Sequence, residues 1–434
     1  MKRLLIITYY WPPTGGSGVQ RWVKFAKYLP QLGWQPVIYT PENPEQLAVD
    51  ESLLKDIPAE AEIVRTHITE PYDIYRKLFG GKSKTAGEGG VNPLNAQKKS
   101  WKQKLAVWVR GNFFVPDPRV SWVRPSARFL KKYLKEHPVD AVVTTGPPQS
   151  MHLIGRALKR ATGMRWIVDF RDPWTEMFYF KHLGLWPLAE RRHRRLEQSV
   201  LDECDCIISV TPLVQKDFQS RTSTPVVLIT NGFDEDDFPQ AASPEPAAPG
   251  QESKFTVVHT GLFAADGNPL GLWDVLAAKC EADPAFRQAL QIRLAGKVDA
   301  PVIAAIEQRG LGASLADLGY LPHEETVREQ REASMLILPL RQEPEYRKVL
   351  PGKIFEYLAA RRPVLGIGQE DGAAAKVLSD TGAGEMHDWD KNAQFAAFVD
   401  REWNRHLSGD RSPVGSDISQ YTRRSLTEKL TGIL

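Results

Sequence analysis

Three places in this chain gather side chains able to do chemistry. The first reads Pro351-Gly352-Lys353-Ile354-Phe355-Glu356-Tyr357-Leu358. A glycine turn opens a helix there, with Lys353 and Glu356 three positions apart and therefore on one face. Lys353 adds its charge to the amide-rich start of the helix, which suits a diphosphate. Glu356, one turn later, can accept two hydrogen bonds from vicinal hydroxyls such as a ribose offers. An exposed ion pair on a helix surface would have the same spacing. The second place is Asp169-Phe170-Arg171-Asp172-Pro173-Trp174, directly after an apolar run ending at Val168. Charged residues at the carboxyl end of a parallel strand face the ligand crevice. Arg171 can grip phosphate or carboxylate oxygens through two parallel hydrogen bonds, and Asp172 can position a hydroxyl or accept its proton. The alternative is a buried Arg–Asp pair that shapes the loop. His152, after Gly146-Pro147-Pro148-Gln149-Ser150, follows another strand end. It is either a third member of this catalytic group or a structural residue opening a helix.

The third place is the loop Trp11-Pro12-Pro13-Thr14-Gly15-Gly16-Ser17-Gly18. Glycines at a strand end let backbone amides approach a ligand, and the following helix offers its positive N-terminus to an anion. Gly15, Gly16 and Ser17 would form a loop for an acceptor or a phosphate. The pattern is not a dinucleotide fingerprint: Gly16 and Gly18 fit its first two positions, but Arg21 stands where the third glycine belongs. A purely structural turn fits the same residues.

The elements that must position these groups alternate along the chain. Short apolar or β-branched runs at residues 4–9, 36–40, 141–144, 166–169, 206–210 and 226–230 predict strands of a parallel sheet covered on both faces. Val19, Trp22, Val23, Ala26 and Leu29 keep a helical period, and Gly33 is expected to stop that helix. Residues 236–253, rich in proline and alanine without periodicity, read as a linker. Alternation restarts at 256–259, 292–295, 335–338 and 363–367. The expected organisation is a first doubly wound domain over 1–235, a linker, a second over 254–414, and a helix over 418–434 with Tyr421, Leu426, Leu430 and Ile433 apolar. Residues 82–100 form the one low-complexity stretch, expected to be a loop.

Composition narrows the class. At 434 residues, 42% hydrophobic and 25% charged, the chain is globular and too long for one core. Cys204, Cys206 and Cys280 cannot form a disulfide framework or a zinc site of the usual spacing, which suits a reducing cytoplasm. The apolar run after Met1-Lys2-Arg3 reads as a buried first strand rather than a signal peptide. No apolar stretch reaches the length of about eighteen residues that a membrane span needs. The net charge of +3 is uneven: residues 82–135 hold 13 Lys/Arg and 2 acidic residues, a net of 13 − 2 = +11. Trp101, Trp108, Phe113, Phe114 and Trp122 lie among them. This region is either a solvated basic face around core aromatics or a patch that meets anionic lipid or a phosphate-bearing acceptor. No nucleic-acid motif accompanies it.

Taken together, the motifs resemble the retaining glycosyltransferases of family 4, in particular a bacterial branch that builds surface polysaccharide. The anchors are Gly15-Gly16, Pro147-Pro148-Gln149-Ser150, Arg171-Asp172-Pro173-Trp174, Ser209-Val210-Thr211, Thr230-Asn231-Gly232-Phe233-Asp234, His259-Thr260-Gly261, Gly319-Tyr320-Leu321-Pro322-His323 and the Lys353–Glu356 helix start. The resemblance implies a GT-B fold, with two doubly wound Rossmann-like domains facing a cleft and a C-terminal helix crossing back to the first. It implies that the second domain holds a nucleotide-diphosphate sugar. Glu356 would take ribose hydroxyls, Lys353 and the amides of Gly261 and Leu262 would lie near the phosphates beside Gly352 and Ile354, and the turn at Tyr320 and Leu321 would frame the base. The first domain would receive a glycan or lipid-linked acceptor. No metal and no cofactor beyond the donor are implied. Two departures stand out. Residues 262–269 lack the Arg and Lys that many relatives carry there, which passes phosphate charge to Lys353, Arg341, Arg347 and Lys297. Lys348 stands where many relatives have a Glu. A GT-B nucleotide-sugar epimerase, a dinucleotide-dependent oxidoreductase and a non-catalytic partner protein are the rival readings.

Overall fold

A computed structural model describes residues 1–45, 49–69, 101–238 and 254–434. The 82–100 stretch and positions 239–253 of the proline-rich segment lie outside the described residues. The chain divides into two compact units, Met1–Thr230 with Arg423–Leu434, and Asn231–Thr422.

The first unit is built on seven parallel strands: β1 (Lys2–Ile7), β2 (Trp34–Pro41), β3 (Glu62–Thr66), β4 (Ala141–Gly146), β5 (Trp166–Phe170), β6 (Cys206–Ser209) and β7 (Val226–Leu228). Their order is β3-β2-β1-β4-β5-β6-β7. The second unit holds six: β8 (Phe255–Thr260), β9 (Leu290–Ala295), β10 (Leu315–Gly319), β11 (Met335–Pro339), β12 (Val364–Ile367) and β13 (Gly384–His387), in the order β10-β9-β8-β11-β12-β13. In each sheet the winding reverses beside the first strand, between β1 and β4 and between β8 and β11. Ligands bind at the carboxyl ends of strands at such switch points. Helices cover both faces of each sheet, and the buried side chains gather in two clusters per unit. Leu4 and Ile6 face one cluster while Leu5 and Ile7 face the other, as the two-residue strand period requires.

Three strands escape the sequence pattern. β3, β10 and β13 lie at or beside the sheet edges, are half exposed, and carry polar residues such as Glu62, Arg65, Asp317 and Glu385. An edge strand covered on one side needs no continuous apolar run. The helix Ser17–Tyr28 ends before Gly33. Pro30 starts a separate 3₁₀ turn, and Gly33 closes that turn at φ 81°. The expected C-terminal helix over 418–434 is split into a 3₁₀ turn Ser419–Tyr421 and a helix Arg423–Thr431, with Thr422 extended between them. Leu426 and Leu430 of that helix join the core cluster that contains Leu4, Ile6 and Trp22. All three cysteines are buried and free. Among the described residues no helix is long and apolar enough to cross a membrane.

Candidate functional site

In the second unit β8 ends at His259-Thr260-Gly261, next to the start of the helix Lys353–Ala360. The Lys353 ammonium lies 3.2 Å from Nε2 of His259 and 3.3 Å from the carbonyl oxygen of Leu262. His259 is fully buried, and its Nδ1 sits 3.1 Å from the carbonyl of Ile337. A neutral imidazole has one N–H, and a carbonyl can only accept. Nε2 also lies 3.3 Å from the carbonyl of Leu262, so it is the Lys353 ammonium, a donor only, that selects the tautomer: Lys353 donates to Nε2 and to the Leu262 carbonyl, and Nδ1–H donates to Ile337. Burial, together with the Lys353 charge, holds the His259 pKa well below its usual value. Burial also lowers Lys353, to about 8, against the opposing pull of Glu356. Among the described residues the cation is thus held by neutral acceptors, with the Glu356 carboxylate near enough to pull on it but not paired with it.

Glu356 follows one turn later. Its Oε2 accepts from Nε2 of Gln330 at 3.0 Å, and the same amide lies 3.0 Å from Oγ1 of Thr260. Tyr357 Oη accepts the Thr260 amide at 3.0 Å. Gln330, on the helix His323–Glu332, is fully buried and fixes the carboxylate. The Gly261 carbonyl leaves no room at Gly296: a Cβ there would lie 2.5 Å from it, and Gly296 itself sits at φ 119°. Only glycine fits. This holds the β8 and β9 loop ends together around Lys353.

In the first unit a cavity of about 470 Å³ opens over the carboxyl ends of β1, β4 and β5. Gly15, Gly16 and Gly18 line one side, Pro147, Pro148 and Gln149 another, and Arg171, Asp172 and Trp174 a third. Burial raises the Asp172 pKa, partly offset by Arg171. No hydrogen bond or ion pair to the described residues engages its carboxylate. Arg171 donates through Nε to the Gly146 carbonyl at 3.2 Å and through Nη2 to that of Pro147. Its Nη1 lies against Gly18, where a Cβ would come within 2.0 Å. Arg171 is therefore spent mainly on the loop, and the two-bond grip on an oxyanion expected from sequence leaves only Nη1 for a ligand. Gln149 lies in the floor, 6% exposed, with neither amide atom hydrogen-bonded among the described residues. A ligand hydroxyl can supply both missing partners.

Residues 90–237 match the model of Glycosyltransferase Family 4. The matched segment resembles a glycosyltransferase family 4 domain. Over the whole chain the architecture is similar to that of a glycosyltransferase from Rickettsia africae, with TM-score 0.59 and 15% identity over 100% of this chain and 97% of that one. It is similar to WaaG, a glycosyltransferase involved in lipopolysaccharide biosynthesis, with TM-score 0.56 and 15% identity over 99% of both chains. It also resembles the E. coli trehalose-6-phosphate protein bound with UDP-2-fluoro glucose, with TM-score 0.58 and 13% identity over 99% of this chain and 98% of that one. At these identities the likeness shows the fold, which is GT-B. No curated protein matches the chain.

The fold sorts the expected site residues. Gly261, Leu262, Gly352, Lys353 and Glu356 come together at the β8 end. Leu262 is half exposed, and Ile354 is buried in the core with its amide bonded to Pro351. Lys297 is exposed and contributes its carbonyl to the Phe263 amide. Arg341 pairs with Asp266 at 2.9 Å, and Arg347 with Asp371 at 3.5 Å. Tyr320 is 80% exposed, with Leu321 half-buried beside it. Gly15 and Gly16 line the first cavity, and Ser17 begins its helix. His152 does not line it. The ring is fully buried against Phe170, its Nδ1 is 2.9 Å from Thr144 Oγ1, and burial lowers its pKa to about 3. It is a neutral core histidine.

Several contributors were hidden from sequence reasoning. Arg21 and Asp169 form a fully buried pair at 2.9 Å, joined by Trp22 Nε1 and Thr145 Oγ1. Burial alone would raise Asp169, but Arg21 holds it below the usual range. The residue breaking the glycine fingerprint therefore ties the loop helix to β5. Glu197, fully buried on the helix Pro187–Glu203, accepts the Trp174 and Thr175 amides at 3.2 Å each and pairs with Arg221 at 2.6 Å. It holds the loop that presents Asp172. Lone polar residues on long helices carry no local signal of such roles.

Proposed function

We propose that the chain is a retaining glycosyltransferase that moves a hexosyl group from a nucleotide-diphosphate sugar to a glycan or lipid-linked acceptor in cell-surface polysaccharide or glycolipid synthesis. The observation that carries this is the placing of Lys353, held by neutral acceptors at a helix start beside Gly261, with Glu356 one turn along. The spacing suits a diphosphate followed by a ribose, and one neighbour of the same fold is bound with UDP-2-fluoro glucose. The donor's diphosphate would rest on Lys353 and the helix start. These groups would stabilise charge on the leaving diphosphate without a metal. The acceptor would enter the cavity of the first unit, where Gln149 orients a hydroxyl and Asp172 receives or steers its proton. The leaving phosphate can itself take that proton when it departs from the face the hydroxyl enters. The work place is the cytoplasm, free or at the inner membrane face.

The test is incubation with UDP-, GDP-, ADP-, dTDP- and CDP-sugars and a panel of glycosides, followed by NMR of the anomeric proton. One donor series should react, with the anomeric configuration retained. Inversion would remove the retaining assignment. Interconversion of the donor sugar without an acceptor would favour the epimerase instead.

A further inference from the structure

His193 stands behind three walls of the first-unit cavity at once. It sits on the helix Pro187–Glu203, is almost fully buried and lines the cavity. The indole Nε1–H of Trp174 donates to its Nδ1 at 3.1 Å. Trp174 belongs to the loop that presents Asp172. On the other side of the ring, Nε2 lies 3.4 Å from the carbonyl of Gly111, on the helix Trp101–Phe113. Phe180, from the 3₁₀ turn Phe178–Leu183, meets the imidazole edge-on at 5.3 Å. Trp174, Gly111 and Phe180 all line the cavity. Gly111 is itself packed tightly: a Cβ there would lie 2.8 Å from the Leu185 side chain and 3.3 Å from that of Leu183. Four residues along the same helix face, Glu197 takes the main-chain amides of Trp174 and Thr175. Trp174 is therefore clamped twice, at its backbone by Glu197 and at its indole by His193.

An indole nitrogen can only donate and a carbonyl can only accept. The imidazole must then be neutral, with its one proton on Nε2 facing Gly111. A second proton on Nδ1 would set two N–H groups against each other at 3.1 Å, and the contact with Trp174 would break. We infer that neutral His193 is a positioning residue: it sets the shape of the acceptor cavity by holding the Trp174 loop against the helix Trp101–Phe113, and protonating it weakens acceptor binding. The word acceptor rests on the function proposed above, whereas the three contacts do not. Burial keeps the His193 pKa below its usual value; the Gly111 carbonyl, Asp117 and Glu197 pull it upwards, and Arg192 pushes it down. Of the remaining charges on the packed elements, Arg110 and Asp172 line the same cavity, and Lys181 and His182 of the 3₁₀ turn are exposed. Because the pKa is lowered, the wall is complete at neutral pH. It is lost only on the acid side of the usual histidine value of about 6.5.

The test has two readouts on the full chain. The first needs no substrate: the indole N–H resonances of the ¹⁵N-labelled protein are followed from neutral to acid pH, with Trp174→Phe identifying the one that matters. The Trp174 signal should shift as the imidazole takes up a proton, and His193→Gln, whose carbonyl still accepts from the indole, should remove that shift. The second readout is transfer to whichever acceptor supports turnover. In the wild type the acceptor KM should rise about five-fold on acidification, the worth of one net hydrogen bond, with the donor KM unchanged. His193→Gln should lose this pH dependence, and His193→Phe should raise the acceptor KM at every pH by more than His193→Gln does. A Trp174 signal that ignores pH, or one that titrates equally in His193→Gln, would overturn the inference. So would an acceptor KM with the same pH profile in the wild type and in His193→Gln, which would leave His193 a packing residue. Because the indole signal is read without donor or acceptor, it decides the contact even where no transfer is found, and failure of the transferase reading is told apart from failure of this one.

Discussion

Lys353 is the side chain whose chemistry depends most on what fills the site. Its pKa of about 8 reflects burial, against the opposing pull of Glu356. A diphosphate would raise it, so donor binding takes up a proton above that pH. Affinity should hold steady below about pH 8 and decline as pH rises towards the higher pKa of the complex. Titration calorimetry in two buffers of different ionisation enthalpy at pH 8.5 should show proton uptake, and Lys353→Ala should abolish it. Gln149 predicts an opposite pair of effects. Gln149→Leu removes two buried, unpartnered amide atoms, so it should leave the melting temperature unchanged or raise it while increasing the acceptor KM by about ten-fold. A fall in stability with unchanged KM would show that Gln149 is a packing residue. The sequence makes Lys353 and Glu356 visible because helix spacing and a glycine turn are local signals. It hides Gln149, Gln330 and Glu197, whose roles exist only once distant elements meet. His152 illustrates the converse: a residue type able to do chemistry, sunk in the core by its helix face.

The elements act by holding loops at strand ends. The Arg21–Asp169 pair fastens the helix Ser17–Tyr28 to β5 with no solvent access to either side chain. Removing one partner strands the other charge, so Asp169→Asn should cost about 3–5 kcal/mol in urea unfolding. Glu197→Gln should cost stability as well, since it takes the charge from the buried partner of Arg221, and should also act on function. It loosens the loop that presents Asp172, lowering kcat while donor affinity is unchanged. At the β8 and β9 ends of the second unit, Gly296→Ala must displace the Gly261 carbonyl. It should weaken nucleotide binding even though Gly296 itself offers no side chain to a ligand. Central strands were legible from their continuous apolar runs. β3, β10 and β13 were not, since edge position permits polar residues. The first helix ends ahead of Gly33 because Pro30 already starts a new turn.

As a whole molecule, the chain combines two doubly wound units, each with its own core on both sheet faces. The alternation of strands and helices makes the doubly wound class legible, whereas the return of Arg423–Leu434 to the first unit has only a faint sequence signature. Two cores predict that a donor acts on one of them: in scanning calorimetry a nucleotide diphosphate should shift the unfolding of the second unit by mass action. The central claim is that Lys353 and Glu356 hold a nucleotide-diphosphate donor. Its most direct test is titration of UDP, GDP, ADP, dTDP and CDP into the wild-type protein and into Lys353→Ala and Glu356→Ala. One base should bind, with losses of about ten- to hundred-fold in each variant. No binding to any of the five, or binding that both variants leave intact, would contradict it.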